Sequence, residues 1–363
     1  MAEATKIEWT DATVNFWWGC TKVGPGCDHC YAESLDRRLG GRHWGPRAAR
    51  KPIENASNTM VKLNRRSARR IAEGLPPIKV FVQSMADIFD NEVPDHWRAE
   101  AFETMQLCTH LRIQLLTKRV GNVESMIPAA WRYSGFPAHV GLMITVVNQE
   151  EADRDVPKLL ALKEKLDIPW VGLSIEPMLG PVDLERVGTK QSIGASMPAV
   201  LALQEREART RDISGLQIDV VGLPGNATIC FQTPDHMGGF SNHFPRPFPR
   251  LDWVICGGES GPDARPMHPD WARSLRDQCA LGGVPFLFKQ WGSWAVEYDR
   301  DADDPDWKRC PRDNQARARY LNLAGGHGFH GERVLFVRRV DKARAGRTLD
   351  GVTHDEFPKE LMR

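Results

Sequence analysis

The sequence predicts an α/β fold on a parallel sheet, open or closed into a (β/α) TIM-type barrel, with one insertion and a C-terminal appendage. Seven short β-rich runs recur along the chain, and helix-length amphipathic segments separate several of them, which is the alternation of parallel α/β structure. Every run also ends, on its C-terminal side, in polar or conformationally special residues. In parallel α/β folds those ends share one face, and that face carries the ligand.

The runs are Thr13 to Trp18, Ile78 to Gln83, Arg112 to Leu116, His139 to Val146, Pro169 to Ile175, Leu251 to Cys256 and Val284 to Phe288. Their ends carry, in order, Cys20, the stretch Ser84 to Asp87, Thr117 to Arg119, Thr145 to Gln149, Glu176 with Pro177, Gly257 to Pro262, and Lys289 to Gly292. Amphipathic helices are expected from Asp95, from Gln149 and from His268, the last opening on a capping segment and closing on glycines. Residues 184–250 break the rhythm with a Gly- and Pro-rich stretch, so they read as an insertion and a candidate lid. The expected organisation is a barrel from 1–183 and 251–292, the insertion between, and an appendage over 293–363.

A chain of 363 residues suits two domains, or one large domain with additions. Hydrophobic residues at 41% and charged residues at 26% exclude disorder, collagen and a dense disulfide scaffold. The longest apolar runs fall well short of the roughly 18 residues that cross a bilayer, and the polar opening has no signal-peptide core. A soluble cytoplasmic protein with no membrane partner is expected. Lys and Arg number 48 against 47 Asp and Glu, so net charge alone points to no polyanion. Locally the balance differs. Between Ser34 and Arg70, eleven basic residues (Arg37, Arg38, Arg42, Arg47, Arg50, Lys51, Lys62, Arg65, Arg66, Arg69, Arg70) face two acids, Asp36 and Glu54. That segment is either a solvated helix face or a phosphate track on DNA or RNA.

Of eight cysteines, five are scattered singly and suit small core hydrophobes. The other three, Cys20, Cys27 and Cys30, are spaced C-x6-C-x2-C around Gly24, Pro25 and Gly26. In a cytosolic chain such a group points to metal or redox chemistry rather than to a disulfide. Three thiolates leave one position of a metal centre open, so an iron-sulfur cluster, a zinc site completed by His29, and unligated thiols are the readings the spacing allows.

The arrangement Gly19-Cys20 followed by Gly26-Cys27-x2-Cys30-Tyr31-Ala32 resembles the cluster loop of radical S-adenosylmethionine (SAM) enzymes, nearest the spore photoproduct lyase-like branch. The usual C-x3-C-x2-C loop of that superfamily has a shorter first gap, and its second-strand Gly-Gly-Glu is absent here. The chain as a whole, from IEWTDATVNFWWGC through SMADIF, LLTKR, LSIEPMLGP, VICGGESGPDARPM and FKQWG to LDGVTHDEFP, resembles an uncharacterised phage and bacterial family of three-cysteine proteins. The resemblance implies a partial or complete barrel of radical SAM type with a [4Fe-4S] cluster on Cys20, Cys27 and Cys30. It implies SAM contacts at Ser84, Asp87, Lys118, Thr145 and Asn148, with Asp87 toward the ammonium and Lys118 toward the carboxylate. It further implies a 5′-deoxyadenosyl radical acting on an unidentified substrate, with a nucleobase or nucleic acid as the first candidate, and a reductant protein as partner. Glu259, Arg265, Lys289 and Gln290 are the substrate-side candidates at later strand ends. The reading from a different class is a non-catalytic, metal-stabilised nucleic-acid-binding protein.

Overall fold

The computed structural model describes residues 5–185, 187, 217–221, 228–234, 240–243, 250–300, 303–305, 314, 317–326, 328 and 333–362. Its centre is a seven-stranded, all-parallel sheet of β1 (Ala12–Val14), β4 (Lys79–Val82), β5 (Arg112–Thr117), β6 (Val140–Thr145), β7 (Val171–Ile175), β11 (Trp253–Gly257) and β12 (Phe286–Gln290). The strands lie side by side in chain order. Because parallel crossovers are right-handed, that order sends the described connecting helices to one face, and the sheet curls as a half-barrel. No pairing joins β1 to β12, so the half-barrel stays open and the complete barrel is not formed.

The first run, expected as one strand from Thr13 to Trp18, is split. Side chains replace its ladder bonds. Gln83 Oε1 accepts from Phe16 N at 2.7 Å, and Asn15 Oδ1 accepts from Met85 N at 2.8 Å. The chain turns there, and β2 (Trp17–Trp18) pairs antiparallel with β3 (Lys51–Pro52). The expected helices form as α3 (Asp95–Leu107), α6 (Gln149–Lys165) and α7 (Pro269–Gly282). His268 caps α7 by accepting from Asp270 N, and Gly283 ends it at φ +62°.

Outer helices and sheet bury one continuous apolar core, including α2 (Ala56–Ala72) through Ala56, Met60, Leu63 and Ser67. The concave face is closed at its lower end by a second cluster of Trp9, Phe81, Met143, Trp170, Trp253, Ile255, Leu287 and Leu361. Each large side chain buried this way contributes about 1.5–3 kcal/mol. Gly141 makes the cluster possible, since a Cβ there would lie 1.9 Å from the Trp170 ring. Both chain ends serve this plug, Trp9 from one and Leu361 from the other.

The tail also covers the open edge of β12. Phe288 N donates to His354 O at 2.9 Å, Phe286 N to Glu356 Oε2 at 3.0 Å, and Trp253 Nε1 to Glu356 O at 2.8 Å. Ahead of it, β13 (Trp294–Arg300), β15 (Val334–Arg339) and β14 (Ala318–Tyr320) form a separate antiparallel sheet in that spatial order. Most of 184–250 lies outside the described residues, and with it the lid reading. Within that stretch β8 (Gln217–Val221), β9 (Thr228–Pro234) and β10 (Phe240–His243) form an antiparallel sheet that its lack of periodicity did not predict. No helix among the described residues is long and apolar enough to cross a membrane.

Candidate functional site

A cavity of about 420 Å³ opens at the C-terminal ends of the sheet strands, above the tryptophan plug. Cys20, Cys27 and Cys30 all line it, all are free thiols, and all are half-buried. Ser84, Asp87, Lys118, Thr145, Glu259, Lys289 and Gln290 stand on the same wall. Asn148 and Arg265 do not line it. Asn148 caps α6 by accepting from Glu151 N at 2.9 Å, and Arg265 acts one layer out.

The cysteine loop is built by close approaches that only glycine permits. Gly19, at φ +109°, sits where a Cβ would lie 2.4 Å from His43 O, and at Gly26 a Cβ would lie 2.8 Å from Val147 Cγ1. Cys27 ends a short 3-10 turn, Pro25–Cys27, and Cys30 is the N-cap of α1 (Tyr31–Arg38). Tyr31 Oη reaches across to Ser84 O at 2.5 Å.

Two ion networks hold this loop. On one side, Glu259 grips Arg265 through Nε at 2.8 Å and Nη2 at 2.7 Å, and also takes the His29 ring at 3.1 Å. Arg265 in turn binds Asp28 at 3.0 Å and Pro25 O at 2.9 Å. Burial opposes ionisation of Glu259, but the bonds from Arg265 and His29 outweigh it and hold the carboxyl below its ordinary value. His29 therefore spends Nδ1 on Glu259.

On the other side, Arg119 donates to Cys20 Sγ at 3.5 Å, to Thr21 O at 2.7 Å and to Asp87 Oδ2 at 3.1 Å. Asp87 also accepts from Thr117 Oγ1 at 2.8 Å, Phe89 N at 3.0 Å and Lys118 N at 3.1 Å. Both of its oxygens accept from the protein, so Asp87 braces two strand ends at the cavity wall. Burial first, then Asp87, pushes the Cys20 thiol up to about 12, with Arg119 opposing.

Lys118 differs from its neighbours. Its Nζ donates to Thr145 Oγ1 at 3.3 Å, and it enters no ion pair among the described residues. Lys289, by contrast, is paired with Glu176 at 3.1 Å, and Glu176 also accepts from Ser174 Oγ. Gln290 donates to Gly258 O at 2.8 Å and so shapes the glycine loop rather than leaving its amide free. The cavity thus offers three thiols, two lysines, Lys118 and Lys6, that enter no ion pair among the described residues, and hydroxyls at Ser84 and Thr145.

That donor chemistry fits a thiolate-bound cluster, because three unpaired cysteines of one short loop face one cavity. Among the described residues no three His, Cys, Asp or Glu side chains are already gathered as a metal-holding group, so closing the set would belong to metal binding itself. The sequence reasoning missed Arg119, Arg50 and Asp90, although Arg119 adjoins Lys118 in the same strand end.

The arginines at the end of α2 sit at the opposite edge. Ser67 accepts from Ile78 N and donates to His110 O, which fixes that helix end beside the starts of β4 and β5, away from the cavity. Lys6, Lys22 and Lys342 line the cavity itself, along with Trp44.

Among solved structures, a double mutant of spore photoproduct lyase with bound AdoMet and dinucleoside spore photoproduct matches at TM-score 0.36 and 14% identity, over 77% of this chain and 75% of that one. Spore photoproduct lyase complexed with dinucleoside spore photoproduct matches at TM-score 0.37 and 13% identity, over the same 77% and 75%. Likeness of that size bears on neither ligand nor reaction. No curated protein matches the sequence. A family model described as "Protein of unknown function (DUF5131)" matches residues 4–358, and the chain belongs to that family.

Proposed function

We propose that the chain is a radical SAM-type iron-sulfur enzyme, with a [4Fe-4S] cluster on Cys20, Cys27 and Cys30 and SAM beside it. The observation that carries this reading is the juxtaposition, on one cavity at the strand ends, of three free thiols and Lys118, which makes no ion pair among the described residues. The chemistry a reduced cluster and SAM bring when bound is one-electron cleavage of the sulfonium carbon–sulfur bond to a 5′-deoxyadenosyl radical. The protein's own part is positional.

Lys118 suits the carboxylate of SAM, since its ammonium lines the cavity and makes no direct ion pair among the described residues. Ser84 and Thr145 supply hydroxyls to the polar parts of the ligand. Asp87 fixes the strand ends that carry Lys118 and Arg119. Asn148 supports the same wall by holding the start of α6. Glu259 and Arg265 hold the cysteine loop, while Lys289, paired with Glu176, and Gln290 bound the far side, where a substrate would lie. The tryptophan plug below keeps water from entering through the half-barrel.

A nucleobase or nucleic acid remains the substrate class to test, with a reductant protein as electron donor. The cations suited to its phosphates are Lys6, Lys22 and Lys342 at the cavity, rather than the arginines of α2. The test is anaerobic reconstitution with iron and sulfide, followed by dithionite and SAM. Formation of 5′-deoxyadenosine supports the proposal, and a protein that takes up no iron at these cysteines refutes it.

A further inference from the structure

We propose that Arg119 is a positioning residue for a cluster bound through Cys20, and that its N–H···S hydrogen bond raises the cluster's reduction potential. This rests on the cluster reading above. The three thiols are not equivalent. Among the described residues, only Cys20 Sγ receives a side-chain hydrogen bond, from Arg119 Nη1 at 3.5 Å.

The guanidinium has little freedom to do otherwise. Nη2 is fixed on Thr21 O at 2.7 Å, Nη1 is shared with Asp87 Oδ2 at 3.1 Å, and Asp90 lies 3.6 Å away. Asp90 is held from its other side by Arg50, whose Nε donates to it at 2.8 Å. Arg50 also donates to Thr21 Oγ1 at 2.8 Å and to Ala48 O at 2.8 Å, so both arginines clamp the residue after Cys20. All four charged side chains are buried, and two guanidinium groups against two carboxylates sum to zero. The planar fork that reaches a sulfur, a carbonyl and a carboxylate together is one that lysine cannot reproduce.

Reduction adds one electron to a [4Fe-4S]²⁺ cluster and makes it more negative, with no proton transferred. A donor aimed at a ligand sulfur favours the more negative state, and so does a positive charge beside it. Removing Arg119 takes away both and leaves Asp87 and Asp90 facing Arg50 alone, a net charge of −1 near the sulfur. Each change disfavours the added electron.

The experiment is a dithionite titration, with redox mediators, of the reconstituted wild type and of the Arg119→Lys and Arg119→Gln variants, reading the reduced cluster by electron paramagnetic resonance. The midpoint should shift negative in Arg119→Gln, with Arg119→Lys in between. A wild-type midpoint in Arg119→Gln with its cluster intact overturns the inference. If Arg119→Gln loses its cluster, an unshifted midpoint in Arg119→Lys overturns it, and loss of the cluster from both leaves Arg119 a structural brace only. A wild type that binds no cluster refutes the proposed function instead, so the two failures are distinct.

Discussion

The Arg265 guanidinium joins Glu259, on the loop after β11, to the cysteine loop more than two hundred residues earlier, through Asp28 at 3.0 Å and Pro25 O at 2.9 Å. Arg265 thus acts as a strut between the two loops. Replacing Arg265 with Ala should leave the half-barrel folded but lower iron retention after desalting, measured against wild type by iron assay. Equal retention would show that the loop does not need the strut.

The same strut carries a pH dependence. Glu259 is held below its ordinary carboxyl value, so its contribution is fully present above about pH 4.5, the ordinary value, and is lost as pH falls through the lowered one. Proteolysis of the cysteine loop should therefore accelerate on acidification through that window in the wild type. In Glu259→Gln the acceleration should be smaller, and an unchanged pH profile would contradict this role.

Lys118→Ala should weaken SAM binding by about 1.5–3 kcal/mol while iron content and fold persist, since one charge-assisted hydrogen bond is lost. Asp87→Ala should behave differently. It strips a saturated, buried acceptor from Arg119 and two strand ends, and a destabilisation of about 3–5 kcal/mol by chemical denaturation is expected. Equal folding stability of Asp87→Ala and wild type would contradict the bracing role.

The arginines at the end of α2 lie at the edge of the sheet away from the cavity. If the cavity end meets a nucleic acid, replacing Lys6, Lys22 and Lys342 should weaken binding and flatten its salt dependence more than replacing Arg65, Arg66, Arg69 and Arg70. The reverse ranking would move the contact to the helix face.

Much of the fold was legible because burial leaves a local trace. Each strand of the seven-stranded sheet is a short apolar run, and the polar ends of these runs do line one cavity, with Ser84, Lys118, Thr145 and Lys289 among them. What could not be read was pairing at a distance. Nothing local distinguishes Asp87, whose oxygens are used by Thr117, Phe89, Lys118 and Arg119, from an acid waiting for a ligand. Arg50 looked like one member of a basic run, yet it is buried against Asp90, forty residues on. The break after Val14 escaped for a similar reason, because it depends on the Gln83 and Asn15 side chains taking the place of ladder bonds.

The central claim is tested most directly by counting iron in anaerobically reconstituted protein with Cys20, Cys27 and Cys30 replaced singly by Ala, beside Cys108→Ala and Cys279→Ala. The last two thiols are buried in the core, and their loss should cost about 1 kcal/mol of stability and no metal. Wild type, Cys108→Ala and Cys279→Ala should each hold about four irons per chain, while each loop variant loses its cluster. A colourless wild type, or equal iron in both sets of variants, would contradict the account.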